Sequence, residues 1–308
     1  MRKLALCMVV KDEIHRIARC LEPIADLVDQ TIIVDTGSTD GTPDLLRHRF
    51  GIAVRHGSLD ASQCFSQSTA RNAAIALADT PWILSLDADE RVDRQAIVDF
   101  RRAGDETEID GYFGRWVTHL PGEEPLEDYK LFLFRNGFLH RGEIHENVQL
   151  DIRMKGGRAS WSEALRVDHR PEAARQPGKA AWYRQRLECA IERDPAWYRY
   201  YWFLGYLLFR SGDWDAATGF LTTAAESGST LFPVECLNSR MVLAEMQAGS
   251  GRPGDVRRTL EAAADFHAQM ADDFEVRVNF RLAPWLRQAA DALRRGALGE
   301  IRAYRFAS

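Results

Sequence analysis

Cysteine is scarce and scattered in the 308 residues. The five, Cys7, Cys20, Cys64, Cys189 and Cys236, form no CxxC or other close pair. That excludes a cysteine zinc site and a disulfide-stapled scaffold, and it points to a reducing, cytoplasmic setting. Long apolar runs are missing too. The most apolar stretch, residues 200–209, is about half of the ~20 residues that a membrane helix needs. Residues 4–10, behind Arg2 and Lys3, stop at Lys11, Asp12 and Glu13 with no small-residue cleavage site, so they read as a buried strand rather than a signal peptide. Nor is there an excess of positive charge: 40 Lys and Arg stand against 45 Asp and Glu, a net charge of -5. With no basic cluster, nothing draws a nucleic-acid backbone.

What is present is an alternation of strand and helix signals through the first half, the mark of an α/β sheet with helices on its faces. Strands are expected over 4–10, 31–34, 52–55 and 82–86. Between them, helices are expected over 12–22, where Ile14, Ile17, Ala18 and Leu21 recur at helical spacing, and over 69–78, which is rich in alanine. Another opens at Thr42, with a hydroxyl at the cap and Pro43 in the first turn. Beyond a helix around 94–102, further strands are expected over 111–118, 129–134 and 158–167. Residues 172–179, with Pro177 and Gly178, read as a linker, dividing the chain into domains 1–171 and 172–308.

From residue 180 the strand signals vanish and helices take over. Ala190 and Ala224 lie one 34-residue tetratricopeptide period apart, and Gly205 stands where that repeat needs a small residue for close helix packing. Each hairpin of such a repeat buries its apolar face on the next. The aromatic cluster over 197–203 therefore reads as packing, although repeat surfaces also bind extended peptides.

Ligands of open α/β sheets collect beyond the carboxyl ends of the strands. Asp12, Asp35 and Asp87 follow three of the expected strands there. Asp87 and Asp89 are spaced to share one side of an extended chain, so both carboxylates can approach one hard cation bound to a diphosphate. A solvated first turn of a helix would also use acids here. Gly37 and Gly41 permit a tight backbone path around a nucleoside beside Asp35 and Ser38, and an ordinary βα turn would use the same peptide.

The segments 6–13 (LCMVVKDE), 33–42 (IVDTGSTDGT), 68–73 (STARNA) and 84–90 (LSLDADE) together resemble the GT-A glycosyltransferases of family 2. With 132–135 (FLFR), 142–147 (GEIHEN) and 167–169 (VDH), the likeness extends to the bacterial branch that carries a C-terminal tetratricopeptide-like extension. The family usually has Asn at the position of Asp12, and many members have Asp at that of Thr36. The resemblance implies a GT-A, Rossmann-like mixed sheet followed by an all-α tetratricopeptide-like domain. It implies a Mg or Mn ion and a nucleotide-sugar donor, a UDP-sugar foremost.

Carried onto this chain, the resemblance makes Asp89 a metal ligand and Asp87 a contact to ribose or a sharer of the metal. Asp12, Asp35, Ser38 and Arg71 fall at donor-binding positions, Arg71 against the diphosphate. Glu146 is the candidate base, since direct displacement at the sugar carbon requires the incoming hydroxyl or thiol to lose its proton. His169 is the candidate third metal ligand, with His145 as its rival. The acceptor is expected to be a peptide, a protein or a surface glycan, and the stereochemical outcome inversion. Two other functions compete: a repeat scaffold with a relic front domain, and a sugar nucleotidyltransferase. The latter needs a Gly-rich phosphate loop after strand one, where this chain has residues 10–13, VKDE.

Overall fold

The computed structural model describes residues 1–56, 67–104, 107–171 and 179–306. They fall into two compact units, Met1–Arg175 with Phe306–Ser308, and Gln176–Arg305. Of the expected linker, 172–178 lies outside the described residues.

The first unit is an eight-stranded mixed sheet. Its strands are β1 (Leu4–Val10), β2 (Gln30–Asp35), β3 (Arg55–His56), β4 (Trp82–Ser85), β5 (Glu90–Val92), β6 (Gly111–Thr118), β7 (Leu126–Arg135) and β8 (Ala159–His169). Their spatial order is β3-β2-β1-β4-β7-β6-β8-β5. Strands β2, β1 and β4 run parallel, so the chain leaves all three at one edge. Near-continuous apolar residues bury β1 and β4, as strands covered on both faces require. Helices α1 (Ile17–Leu21), α2 (Thr42–Phe50), α3 (Gln67–Ile75), α4 (Arg94–Arg102) and α5 (Gln149–Met154) complete the unit. The expected fold class is the one observed.

Three local expectations are corrected. The helix expected over 12–22 shrinks to α1, because loop side chains take the amide groups of its first turn. Asp12 N–H donates to Ser38 Oγ, Glu13 N–H to Thr42 Oγ1 and Ile14 N–H to Asp40 Oδ2, at 2.8 to 3.0 Å. Thr42 is therefore no cap: its hydroxyl donates to Asp40 Oδ1 at 2.6 Å, and Gly41 precedes the helix at φ 91°. The third strand, expected over 52–55, is Arg55–His56 against Val34 and Asp35. At Gly114 a Cβ would lie 2.5 Å from the Leu165 carbonyl oxygen; the missing side chain lets β6 and β8 approach where their register shifts.

The second unit is all helical: α6 (Lys179–Arg193), α7 (Tyr198–Ser211), α8 (Trp214–Glu226), α9 (Pro233–Gly249), α10 (Pro253–Gln269), α11 (Phe274–Val278) and α12 (Leu282–Arg294). A Cβ on Gly205 would meet Leu221 Cγ at 2.7 Å, so glycine sets the approach of α7 to α8. Tyr200, Trp202 and Tyr206 are buried, and Trp202 stacks on Tyr206 with centroids 5.1 Å apart. Within the expected packing cluster 197–203, Tyr200 and Trp202 are core, while Trp197, Tyr198, Tyr201 and Phe203 are half-buried. Helix α9 packs against α7, α8 and α10 and is buried on every side, the position of a central helix. Among the described residues no helix is long and apolar enough to cross a membrane.

Candidate active site

The loops leaving β1 and β2 are laced together. Asp12, with φ 55°, donates its N–H to Ser38 Oγ, and its Oδ1 accepts the Thr39 N–H at 2.7 Å. Asp12 and Ser38 thus join the two loops. Asp35, 2% exposed, accepts the N–H groups of Gly37 and Ser38 on Oδ1, both at 2.9 Å. Its Oδ2 is buried with no hydrogen-bond partner among the described residues. A buried carboxylate oxygen in that state is costly unless a ligand donates to it.

Asp87 and Asp89 do not extend the strand. β4 ends at Ser85, and 88–89 form a turn into β5. Alternation along an extended chain therefore does not govern them, and the two carboxylates meet different partners. Asp87 Oδ1 accepts from Arg71 Nη2 at 2.6 Å and its Oδ2 from Lys130 Nζ at 3.1 Å. Burial alone would raise the Asp87 carboxyl, but the guanidinium and the ammonium outweigh it and hold the group well below the usual carboxylate range. Asp89 Oδ2 instead lies 3.4 Å from His169 Nε2.

Arg71 is shared. Its Nε donates to Glu146 Oε1 at 2.7 Å, so α3 ties the Asp87 turn to the loop carrying Glu146. Glu146 is 5% exposed at its side chain. That loop is pinned by mutual backbone bonds between Arg141 and Asn147 and by Asp151, which accepts from Leu139 N–H, Arg141 and Lys155. Asn72 closes it from the other side, donating to the His140 carbonyl and accepting the His140 N–H. His145 sits in this loop at φ 52°, a strained backbone for a residue with a Cβ.

His169 comes from the end of β8. Its Nδ1 is 3.0 Å from the Thr118 hydroxyl and its ring stacks on Trp116 with centroids 4.6 Å apart. Engagement of one ring nitrogen orients the other, which is how ligating histidines are commonly held. Of the two candidate histidines, His169 is the one beside Asp89. Glu13 lies near enough for the charges of Asp87 and Asp89 to act on it. Burial, chiefly, with those two charges, pushes its carboxyl up to about 7 against the pull of Arg16.

A small, open cleft lies beside Asp89, lined by Arg16, Arg19, Ala88, Arg91, Asp168 and Arg170 among others. Sequence reasoning missed Lys130, Glu90 and His140. Lys130 stands 43 residues from Asp87 in the sequence and reaches it only through the packing of β7 beside the Asp87 turn. His140 is buried with both ring nitrogens lacking partners among the described residues. Burial first, and then the cations of Arg71 and Lys130, hold it well below the ordinary histidine range.

The family model described as glycosyl transferase family 2 matches residues 5–165. A TPR repeat-containing protein of Synechococcus elongatus is 30% identical over 239 residues, covering 74% of this chain and 58% of that protein. The SPbeta prophage-derived glycosyltransferase SunS of Bacillus subtilis is 24% identical over 143 residues, 45% of this chain and 33% of its own length. The chain thus spans 58% or less of these relatives. Among solved structures, S. aureus TarS 1-349 in complex with UDP-GlcNAc aligns over 99% of this chain and 94% of that one, at 15% identity and a TM-score of 0.46. Because the family model takes in β1 through β8 as far as Leu165, more than half of the 308 residues, the chain belongs to glycosyl transferase family 2.

Proposed function

We propose that this protein is a metal-dependent glycosyltransferase that moves a sugar from a nucleotide diphosphate, a UDP-sugar foremost, to a hydroxyl or thiol acceptor with inversion. The observation that carries this reading is the presence, at the end of the sheet where the parallel strands β2 and β4 finish, of the open Asp35 Oδ2 and the Glu146–Arg71–Asp87 chain of ion pairs. Asp35 Oδ2 would accept an N–H or O–H from the nucleoside, for which the loop bonded through Asp12 and Ser38 makes a rigid wall. Arg71, already between two carboxylates, would lend its guanidinium to the diphosphate.

The donor set at Asp89 fits a Mg or Mn ion, since a carboxylate oxygen and an imidazole nitrogen stand 3.4 Å apart with the imidazole oriented from behind. Among the described residues no group of three His, Cys, Asp or Glu is assembled for a metal. Phosphate oxygens and water would therefore complete the shell, as is usual for such ions. Bound by Asp89 with His169, and with Asp87 alongside, the cation would offset the charge that develops on the departing diphosphate. Glu146 would take the acceptor's proton, and Arg71 fixes where its carboxylate points.

The helical unit would present or recognise the acceptor, a peptide, a protein or a surface glycan. A cytoplasmic location accords with the described cysteines Cys7, Cys20, Cys189 and Cys236, all free thiols; Cys64 lies outside the described residues. The test is a panel of nucleotide sugars with manganese, read by release of nucleoside diphosphate. Manganese-dependent release from one donor, lost in Asp89→Ala, is the expected result; no release from any donor would refute the proposal.

A further inference from the structure

Lys130 lies on β7 three residues before Leu133, beyond the end of the pairing with β4, and beside the turn that carries Asp87. There its ammonium lies 3.1 Å from Asp87 Oδ2 and 2.7 Å from Glu90 Oε1, bridging two carboxylates. The Glu90 side chain is wholly enclosed, and its other oxygen accepts the Asp87 N–H at 2.9 Å. The rings of Trp116 and Phe132 stand 5.7 and 5.4 Å from the ammonium, faces that favour a cation. An ammonium so held fills the place between two acidic side chains that a hard divalent cation would take. Together with Arg71, it sets two cations against the carboxylates of Asp87, Glu90 and Glu146. Without Lys130, one cation would face three carboxylates, and the Asp87–Glu90 pair would compete for metal.

We infer that Lys130 is a built-in cation that closes the Asp87–Glu90 pair to divalent metal and so directs the metal to Asp89. This deepens, and rests on, the reading of Asp89 as metal ligand. Lys130 acts through Asp87 and is a positioning residue. It fixes Asp87 Oδ2 toward β7 while Arg71 fixes Oδ1 toward α3, whereas Asp89, paired with His169, meets no lysine or arginine ion pair among the described residues.

Electron paramagnetic resonance, counting manganese bound to the full chain without nucleotide, tests the inference on wild type, Lys130→Met, Lys130→Arg and the double variant Lys130→Met with Glu90→Gln. Thermal melts report folding. Lys130→Met is expected to bind one more manganese ion per chain than wild type, Lys130→Arg the wild-type number, and the double variant to lose the extra ion. A folded Lys130→Met that binds no more manganese than wild type overturns the inference. Should that variant not fold, anomalous diffraction from manganese-soaked wild-type crystals decides. No ion between Asp87 and Glu90 supports the closed pair; an ion there overturns it. If wild type binds no manganese while Lys130→Met binds one ion, the role of Lys130 stands and the reading of Asp89 fails.

Discussion

Single side chains carry the proposed chemistry, and their predicted effects differ in kind. Asp89→Ala should abolish metal-dependent transfer while leaving the melting temperature near wild type, because Asp89 is partly exposed and lies at a turn. Unchanged turnover would remove Asp89 from the metal. Glu146→Gln keeps the side chain's size and should bind nucleotide normally while losing transfer, by ~10²–10⁴-fold for a lost general base. Steady-state and single-turnover rates check this, and a full rate would assign the base elsewhere. Glu13 has a consequence for stability. Its folded-state carboxyl is raised from 4.5 to about 7, so the neutral form is favoured in the fold. The stability it contributes is fully present below about 4.5 and is lost as pH rises through about 7, a change of up to about 3 kcal/mol. Denaturation of Glu13→Gln from pH 5 to 8 should lack this decline; an identical slope in both proteins would exclude Glu13 as its source. Asp12, Asp35, Asp87 and Asp89 were legible as acids at the ends of expected strands and Ser38 from its glycine-containing loop, whereas Arg71, Glu146 and His169 became candidates through the family resemblance. Their partners were not legible: Lys130 and Glu90 are recognisable only once the packing of β7 beside the Asp87 turn is known.

Among the elements, those with continuous apolar runs were the easiest to read. Residues 4–10, one such run, match β1 end to end. Where side chains compete with backbone amides, periodicity misled. Ile14, Ile17, Ala18 and Leu21 keep helical spacing, yet Ser38, Asp40 and Thr42 hold residues 12–14 out of the helix. Strand β5 and helix α5 are three and six residues long, too short for any period to emerge. Gly205 was read from the repeat, and its reason is steric. Replacing it with leucine should force α7 from Leu221 and destabilise the second unit by about 1–3 kcal/mol, the usual cost of overpacking. Urea denaturation measures this, and unaltered stability would mean that α7 and α8 can separate freely.

At the scale of the whole molecule, the division into a sheet unit and a helical unit makes the proposed activities separable. A truncated chain ending near residue 175 should still bind nucleoside diphosphate with manganese and lose transfer to its acceptor. Collapse of that fragment, seen as loss of cooperative melting, would show that the helices complete its core. The change from strand to helix signals after residue 170 made this organisation legible, because a period of two gives way to one of 3.6 wherever sheet gives way to hairpins. The acceptor was not legible, since the helical aromatics serve packing. The most direct test of the central claim is calorimetric titration of the full chain with UDP, with and without manganese. Binding that requires manganese in wild type and disappears in Asp89→Ala is predicted, whereas equally tight binding without the metal, or with it in the variant, would contradict the account.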